Sequence, residues 1–307
     1  MTLPEAQPVA RSGAIYDLGY QGYDGPRLGR PAAIATLFWS SWRSAFGLGR
    51  SGRAKIVPWG LTVLALLPAA VAVGITALVG DAVQPFTYDN YLPQIAITLS
   101  LFVAAQAPEL VGGDQRNHVL SLYFSHAIQR IDYAAAKLGA LTAALLVLTM
   151  LPQLVLFAGK VLSATDVLSA FGNEVPKLLQ ILISSLLYSL TLAVIGLAIA
   201  AFTPRRSFAT GGIIAFFLVT AIVGQILTRM DSGEVSRYAQ LIDVDRVLAG
   251  VTHALFGGPG IQVGGGGGEG GGAAIPELAG MIYIGTLIAV LVVGIGVIVQ
   301  RYRRVQA

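Results

Sequence analysis

The sequence predicts an all-α, polytopic membrane protein with six transmembrane helices, and three observations carry that prediction. Six apolar stretches run Ile56 to Val79, Leu92 to Val111, Leu138 to Ala158, Leu178 to Phe202, Phe208 to Leu227 and Leu278 to Val299, none with a charged residue in its middle. At about 1.5 Å per residue each can cross roughly 30 Å of hydrocarbon. Hydrophobic residues make up 55% of the 307 and charged residues only 12%, and the mean hydropathy is +0.71, a balance foreign to soluble domains. The 20 Lys and Arg residues also divide unequally between the loops. With the N-terminus inside, 15 fall on the cytoplasmic side and 5 (Lys160, Lys177, Arg229, Arg237, Arg246) on the other, as the positive-inside rule requires. Both termini are therefore expected in the cytoplasm, and the net charge of +4 is explained by anionic lipid without nucleic acid.

Residues 1–55 read as a cytoplasmic tail followed by an interfacial helix. The tail carries Tyr16, Tyr20 and Tyr23 among glycines and ends in Asp24-Gly25-Pro26-Arg27-Leu28-Gly29-Arg30, a turn-rich run without helical periodicity. It lacks a short apolar core followed by a small-residue cleavage site, so the first span is expected to serve as an uncleaved targeting signal. Residues 31–46 gather Leu37, Phe38, Trp39 and Trp42 ahead of Arg43 and a basic run. That pattern predicts a helix lying in the interface, with Trp39, Trp42 and Arg43 as membrane-interface anchors. Residues 56–307 form the six-span domain, with a cytoplasmic loop at 112–137 and an extracytoplasmic segment at 228–277. In the latter, Leu241, Val244, Leu248, Val251 and Leu255 recur at helical spacing, with Asp243, Asp245 and Arg246 expected elsewhere on the helix surface, so a short amphipathic or re-entrant helix is predicted. Gly264 to Gly272, broken only by Glu269, then reads as a flexible tether.

Several chemistries are excluded by residue content. The chain has no cysteine, hence no disulfide, thiol catalysis or thiolate metal site. Gly47-Leu48-Gly49-Arg50-Ser51-Gly52 fits G-x-G-x-x-G, yet no strand precedes it, and Arg53-Ala54 follow where a P-loop needs lysine and a hydroxyl. Three histidines, His118, His126 and His253, form no H-E-x-x-H pattern, and no proline opens a mitochondrial-carrier signature. The spans carry Gln106, Gln153, Gln180 and Gln225, expected to hydrogen-bond between helices. No Asp, Glu, Lys or Arg lies near a span centre, where ion-coupled transporters commonly keep one.

The most specific segment is Pro108 to Leu141, PELVGGDQRNHVLSLYFSHAIQRIDYAAAKLGAL. Leu120, Tyr123, Phe124, Ala127 and Ile131 form a helical stripe flanked by Arg116, Asn117, Ser121, His126 and Gln129. Here the chain resembles the type-two permeases of ABC exporters, whose second span leaves the membrane through an acidic residue into a short coupling helix before a lysine-bearing start of span three. By that resemblance Glu109, Asp114 and Arg116 correspond to the exit, Leu120 to Phe124 to the coupling helix, and Arg130, Asp132, Tyr133 and Lys137 to the return. Ala127 departs from the proline of many members, which puts the end of that helix in question. The tail around YDLGYQGYDGPRLGR, the interfacial helix, the six-span layout and the long outer loop before span six extend the resemblance to most of the chain.

What the resemblance implies is a permease subunit without its own ATPase motif, catalytic residue or cofactor. Two halves would pair as a homo- or heterodimer, each docking a separate ABC ATPase subunit that binds MgATP. The ATPase-coupling interface would comprise Glu109, Asp114, Arg116, Leu120, Tyr123, Phe124 and Arg130, in a prokaryotic plasma membrane. Uncharged span interiors fit a lipophilic or amphipathic cargo. Two other readings stay open at the level of sequence. One is a membrane-embedded lipid-modifying enzyme, for which Glu109 and Asp114 are the best acidic pair available; the other is a non-transporting anchor or sensor subunit.

Overall fold

The computed structural model describes residues 25, 29–79, 85–116, 123, 128–203, 205–230, 238–257 and 280–304. Among them the architecture is all-α, and six helices are long and apolar enough to cross a membrane. In chain order the helices are α1 (Arg30–Ala45), α2 (Gly52–Val79), α3 (Tyr88–Gln94), α4 (Ala96–Arg116), α5 (Arg130–Ser163), α6 (Val167–Phe202), α7 (Arg206–Met230), α8 (Val244–Phe256) and α9 (Gly280–Arg304), with a 3₁₀ turn at Gln240–Ile242 before α8.

Each apolar run becomes a helix because its backbone groups have no water to bond with in hydrocarbon. The helices outrun the apolar stretches, since charge marks the limit of the hydrocarbon and not the limit of hydrogen bonding. Helices α5 and α6, of 34 and 36 residues, extend beyond what a bilayer needs and carry Lys160, Glu174 and Lys177 on the protruding end. Asp166 caps α6 by accepting from the Leu168 and Ser169 amides at 3.2 and 3.3 Å. The second span, expected from Leu92, is broken: α3 closes at Ile95, whose amide bonds back to Leu92, and Pro93 sits in the last turn of α3, where its missing N–H weakens continuation.

Helix α6 is the hub, packing against α4, α5, α7, α8 and α9, while α1 lies across α5 and α4. Helices α2 and α7 flank α4 and leave long apolar faces open, including Val63, Leu67 and Val71 on α2 and Leu218, Val219 and Ile222 on α7. Close approach is built from small residues. A Cβ at Gly250 of α8 would sit 2.6 Å from the ring of Tyr283 on α9, so only glycine lets those helices meet there.

Helix α8 corrects one expectation. Asp243, Asp245 and Arg246 are not on an open surface: Asp243 is buried and the other two are half-buried, because α8 is sunk among α3, α6, α7 and α9. Gln180 of α6 donates to the Leu255 carbonyl at 3.1 Å, which is the interhelical role expected of it. Gln153 is fully buried without a hydrogen-bond partner among the described residues, Gln106 lines a cavity, and Gln225 is exposed.

Candidate functional site

The end of the bundle holding Arg30, Arg50, Arg206 and Arg301 is where the structure places Glu109, Asp114, Tyr123 and Arg130 of the sequence-predicted site residues, around two centres. The first forms around Glu109 on α4. Phe46 to Arg50 reverse the chain between α1 and α2, with Gly47 and Gly49 at φ of 68° and 86°, a left-handed conformation that disfavours other residues. A Cβ at Gly47 would also lie 2.6 Å from the Ala54 carbonyl oxygen. The glycine-rich motif is thus a tight turn, and its product is the placement of Arg50, whose Nη1 meets Glu109 Oε1. Arg206, at the start of α7, meets the other carboxylate oxygen at 2.9 Å. One carboxylate therefore joins the α1–α2 turn to α4 and α7.

The second centre joins α4 to α5. Asp114 Oδ2 accepts from the Tyr133 hydroxyl at 2.7 Å and from Lys137 Nζ at 2.8 Å. Lys137 is 6% exposed and Tyr133 is fully buried, so the carboxylate is the counter-charge of an ammonium taken out of water. Tyr123 packs its ring 5.8 Å from that of Tyr133, and Tyr302 of α9 packs on Tyr133 at 5.3 Å. Around this core Gln129 and Asp132 form a capping box at the start of α5. Arg30 clamps Asp132 with two bonds of 2.8 Å and Gln129 with one of 3.0 Å, tying α1 to α5. Arg130 Nη1 donates to the Arg303 carbonyl at 2.9 Å, tying α5 to the last turn of α9. The Ala201 carbonyl near the end of α6 accepts from Gln115 at 3.2 Å and from Arg301 at 3.1 Å, a favourable place for a cation.

Of the expected interface residues, Glu109, Asp114, Tyr123 and Arg130 are thus located, and each is tied to other parts of this chain. Glu109 and Asp114 take different partners: Arg50 and Arg206 for the first, Tyr133 and Lys137 for the second. Arg116 ends α4; its side chain, Leu120, Phe124 and most of the expected coupling helix lie outside the described residues, as do His118, His126, most of the N-terminal tail and the glycine tether. In α1, Trp39 is exposed and stacks on Trp42 at 5.1 Å, Trp42 packs edge-on to Phe46 at 5.4 Å, and Arg43 is exposed.

The opposite end holds a cluster that the sequence reading missed. Asp243 caps α8, accepting from the Asp245 amide at 3.1 Å, and pairs with Arg246 at 3.4 Å; Arg246 also reaches Thr228 on α7 at 3.1 Å. Tyr283 donates to Gln240 at 2.9 Å. Burial, reinforced by the neighbouring Asp243 charge, pushes the Asp245 carboxyl up to about 7, and burial raises Asp243 despite Arg246. At the other end of α8, His253 Nδ1 lies 3.0 Å from Asp89. No group of three His, Asp or Glu among the described residues is arranged to hold a metal ion. The signal available in the sequence was Asp243-Val244-Asp245-Arg246 opening an apolar helical stripe: charges at a helix start inside a hydrophobic setting need partners.

Fold and site together define a multi-pass, all-α membrane protein whose basic end is locked by interhelical ion pairs. No protein-family model and no curated protein matches the chain.

Proposed function

We propose that the chain is the permease subunit of an ATP-binding cassette exporter, working as one half of a pair and driven by a separate ATPase subunit. The observation that supports this reading best is the bracing of the α4–α5 junction. The segment between these helices leaves and returns through Asp114, Tyr133 and Lys137, while Arg30 and Arg130 tie the start of α5 to α1 and α9. A push on that segment would be transmitted to four helices at once, as coupling between a remote ATP site and a substrate path requires. The open apolar face of α7 beside α4 fits a second half, and a basic end facing the cytoplasm fits the charge asymmetry. In this reading Arg116, Leu120, Tyr123 and Phe124 meet the ATPase, Trp39, Trp42 and Arg43 hold α1 at the inner interface, and MgATP belongs to the partner.

Isolation of the tagged full chain from its native membrane tests this. A chain bearing a complete P-loop should co-purify and supply the ATPase activity of the preparation, whereas the permease alone should hydrolyse no ATP. A preparation without any such partner, or hydrolysis by the permease alone, would count against the proposal.

A further inference from the structure

We propose that the arginine-lined cavity at the basic end binds the phosphate headgroup of an anionic amphiphile, with its acyl chains along the open apolar face of α2. The cavity measures about 540 Å³ and is lined by Arg50, Ser51, Arg53, Gln106, Glu109 and Arg206. That volume falls within the range of about 300–1,000 Å³ common to small-molecule sites. Its charge is unbalanced: three guanidiniums face one carboxylate, a sum of +2 from the lining residues. Glu109 already divides itself between Arg50 and Arg206, and Arg53 has no ion pair among the described residues. Several guanidiniums lining one cavity favour an oxyanion such as phosphate, which offers several acceptor oxygens to forked donors.

The cavity is also placed for an amphiphile. Val57 lines it and begins an exposed apolar run on α2 with Ile56, Trp59, Val63 and Leu64. Its arginines come from the α1–α2 turn and from the first turns of α2 and α7, and Glu109 from the far end of α4, so it stands at the level where the apolar spans begin and end. A headgroup there keeps its charge with the arginines while its chains stay in hydrocarbon. The inference stands independently of the ATPase partner.

The test uses native mass spectrometry of the delipidated full chain in neutral detergent, with three probes: a phosphatidylglycerol, a phosphatidylcholine of the same chains, and inorganic phosphate. Phosphatidylglycerol should bind in preference to phosphatidylcholine. Arg53→Gln, which breaks no ion pair in the described structure, should weaken it about fivefold, the scale of one basic residue near an anionic headgroup. Glu109→Gln should tighten it by a similar factor, because the competing carboxylate is gone. Equal binding of the two lipids would overturn the proposal, as would an unchanged or weaker affinity in Glu109→Gln whose melting curve matches wild type. If inorganic phosphate displaces the lipid at equal concentration, the ligand is a free anion and the amphiphile is ruled out.

Discussion

Replacing Asp114 by alanine should remove on the order of 3 kcal/mol of stability, the lower end of the cost of breaking a buried ion pair. The lower end applies because the side chain of Asp114 is 21% exposed while the side chain of Lys137 is 8% exposed, so water partly relieves the carboxylate site but hardly reaches the ammonium. The loss is of two kinds: the buried Lys137 side chain loses its counter-ion, and the Tyr133 hydroxyl loses its acceptor at 2.7 Å. Unfolding by increasing SDS in mixed micelles, followed by circular dichroism, measures the difference. The pair can be separated from mere side-chain loss by adding Lys137→Met, which removes the stranded charge and substitutes apolar volume. The double variant should recover about 2 kcal/mol relative to Asp114→Ala alone. As a control, Lys177→Met breaks a half-exposed pair with Glu174 and should cost less than about 1 kcal/mol. Wild-type stability in Asp114→Ala, or losses that simply add in the double variant, would refute the view that this pair fastens α4 to α5.

Asp245→Asn should flatten the pH dependence of stability. The native carboxyl holds its proton up to about pH 7 while the unfolded one ionises near 4. Native stability therefore falls as pH rises from about 4 to 7 and levels off above; three pH units correspond to about 4 kcal/mol. Parallel SDS-unfolding profiles for variant and wild type between pH 5 and 8 would contradict this. For orientation, a single cysteine at Ser163, beside the protruding turn of α5 and α6, should react with an impermeant thiol reagent added to intact cells, and one at Ser207, at the basic start of α7, should react only after permeabilisation. The reverse pattern would invert the topology.

Much of the fold was legible because hydrocarbon leaves the backbone one local solution. Each apolar run reports its own helix, and Leu37, Phe38, Trp39 and Trp42 report α1. Helix lengths were less legible: Lys160, Glu174 and Lys177 end the hydrophobic pattern but not the helices. The site was legible as a region and not as a set of contacts. Glu109, Asp114 and Arg130 were singled out by the resemblance of the Pro108 to Leu141 segment, yet Glu109 finds Arg50 59 residues away and Arg206 on another helix, pairings that no local spacing encodes. What was available was level: all three stand where apolar runs begin or end at the basic side. The burial of Asp245 depends on how α3, α6, α7 and α9 close over α8, which is a tertiary fact absent from the helical stripe itself.

The proposed mechanism stands most directly on what the α4–α5 segment does to its partner. Tyr123→Ala together with Phe124→Ala removes two large side chains that would anchor helix-in-groove docking, a loss of a few kcal/mol at a well-packed contact. Measured on the complex isolated from native membranes, the double variant should lose most of its bound ATPase, or retain hydrolysis while losing transport. Arg116→Ala should give a smaller defect that grows or shrinks with salt. A double variant that folds, keeps its ATPase and transports at the wild-type rate would contradict the coupling role and the account of this chain as an ATP-driven permease.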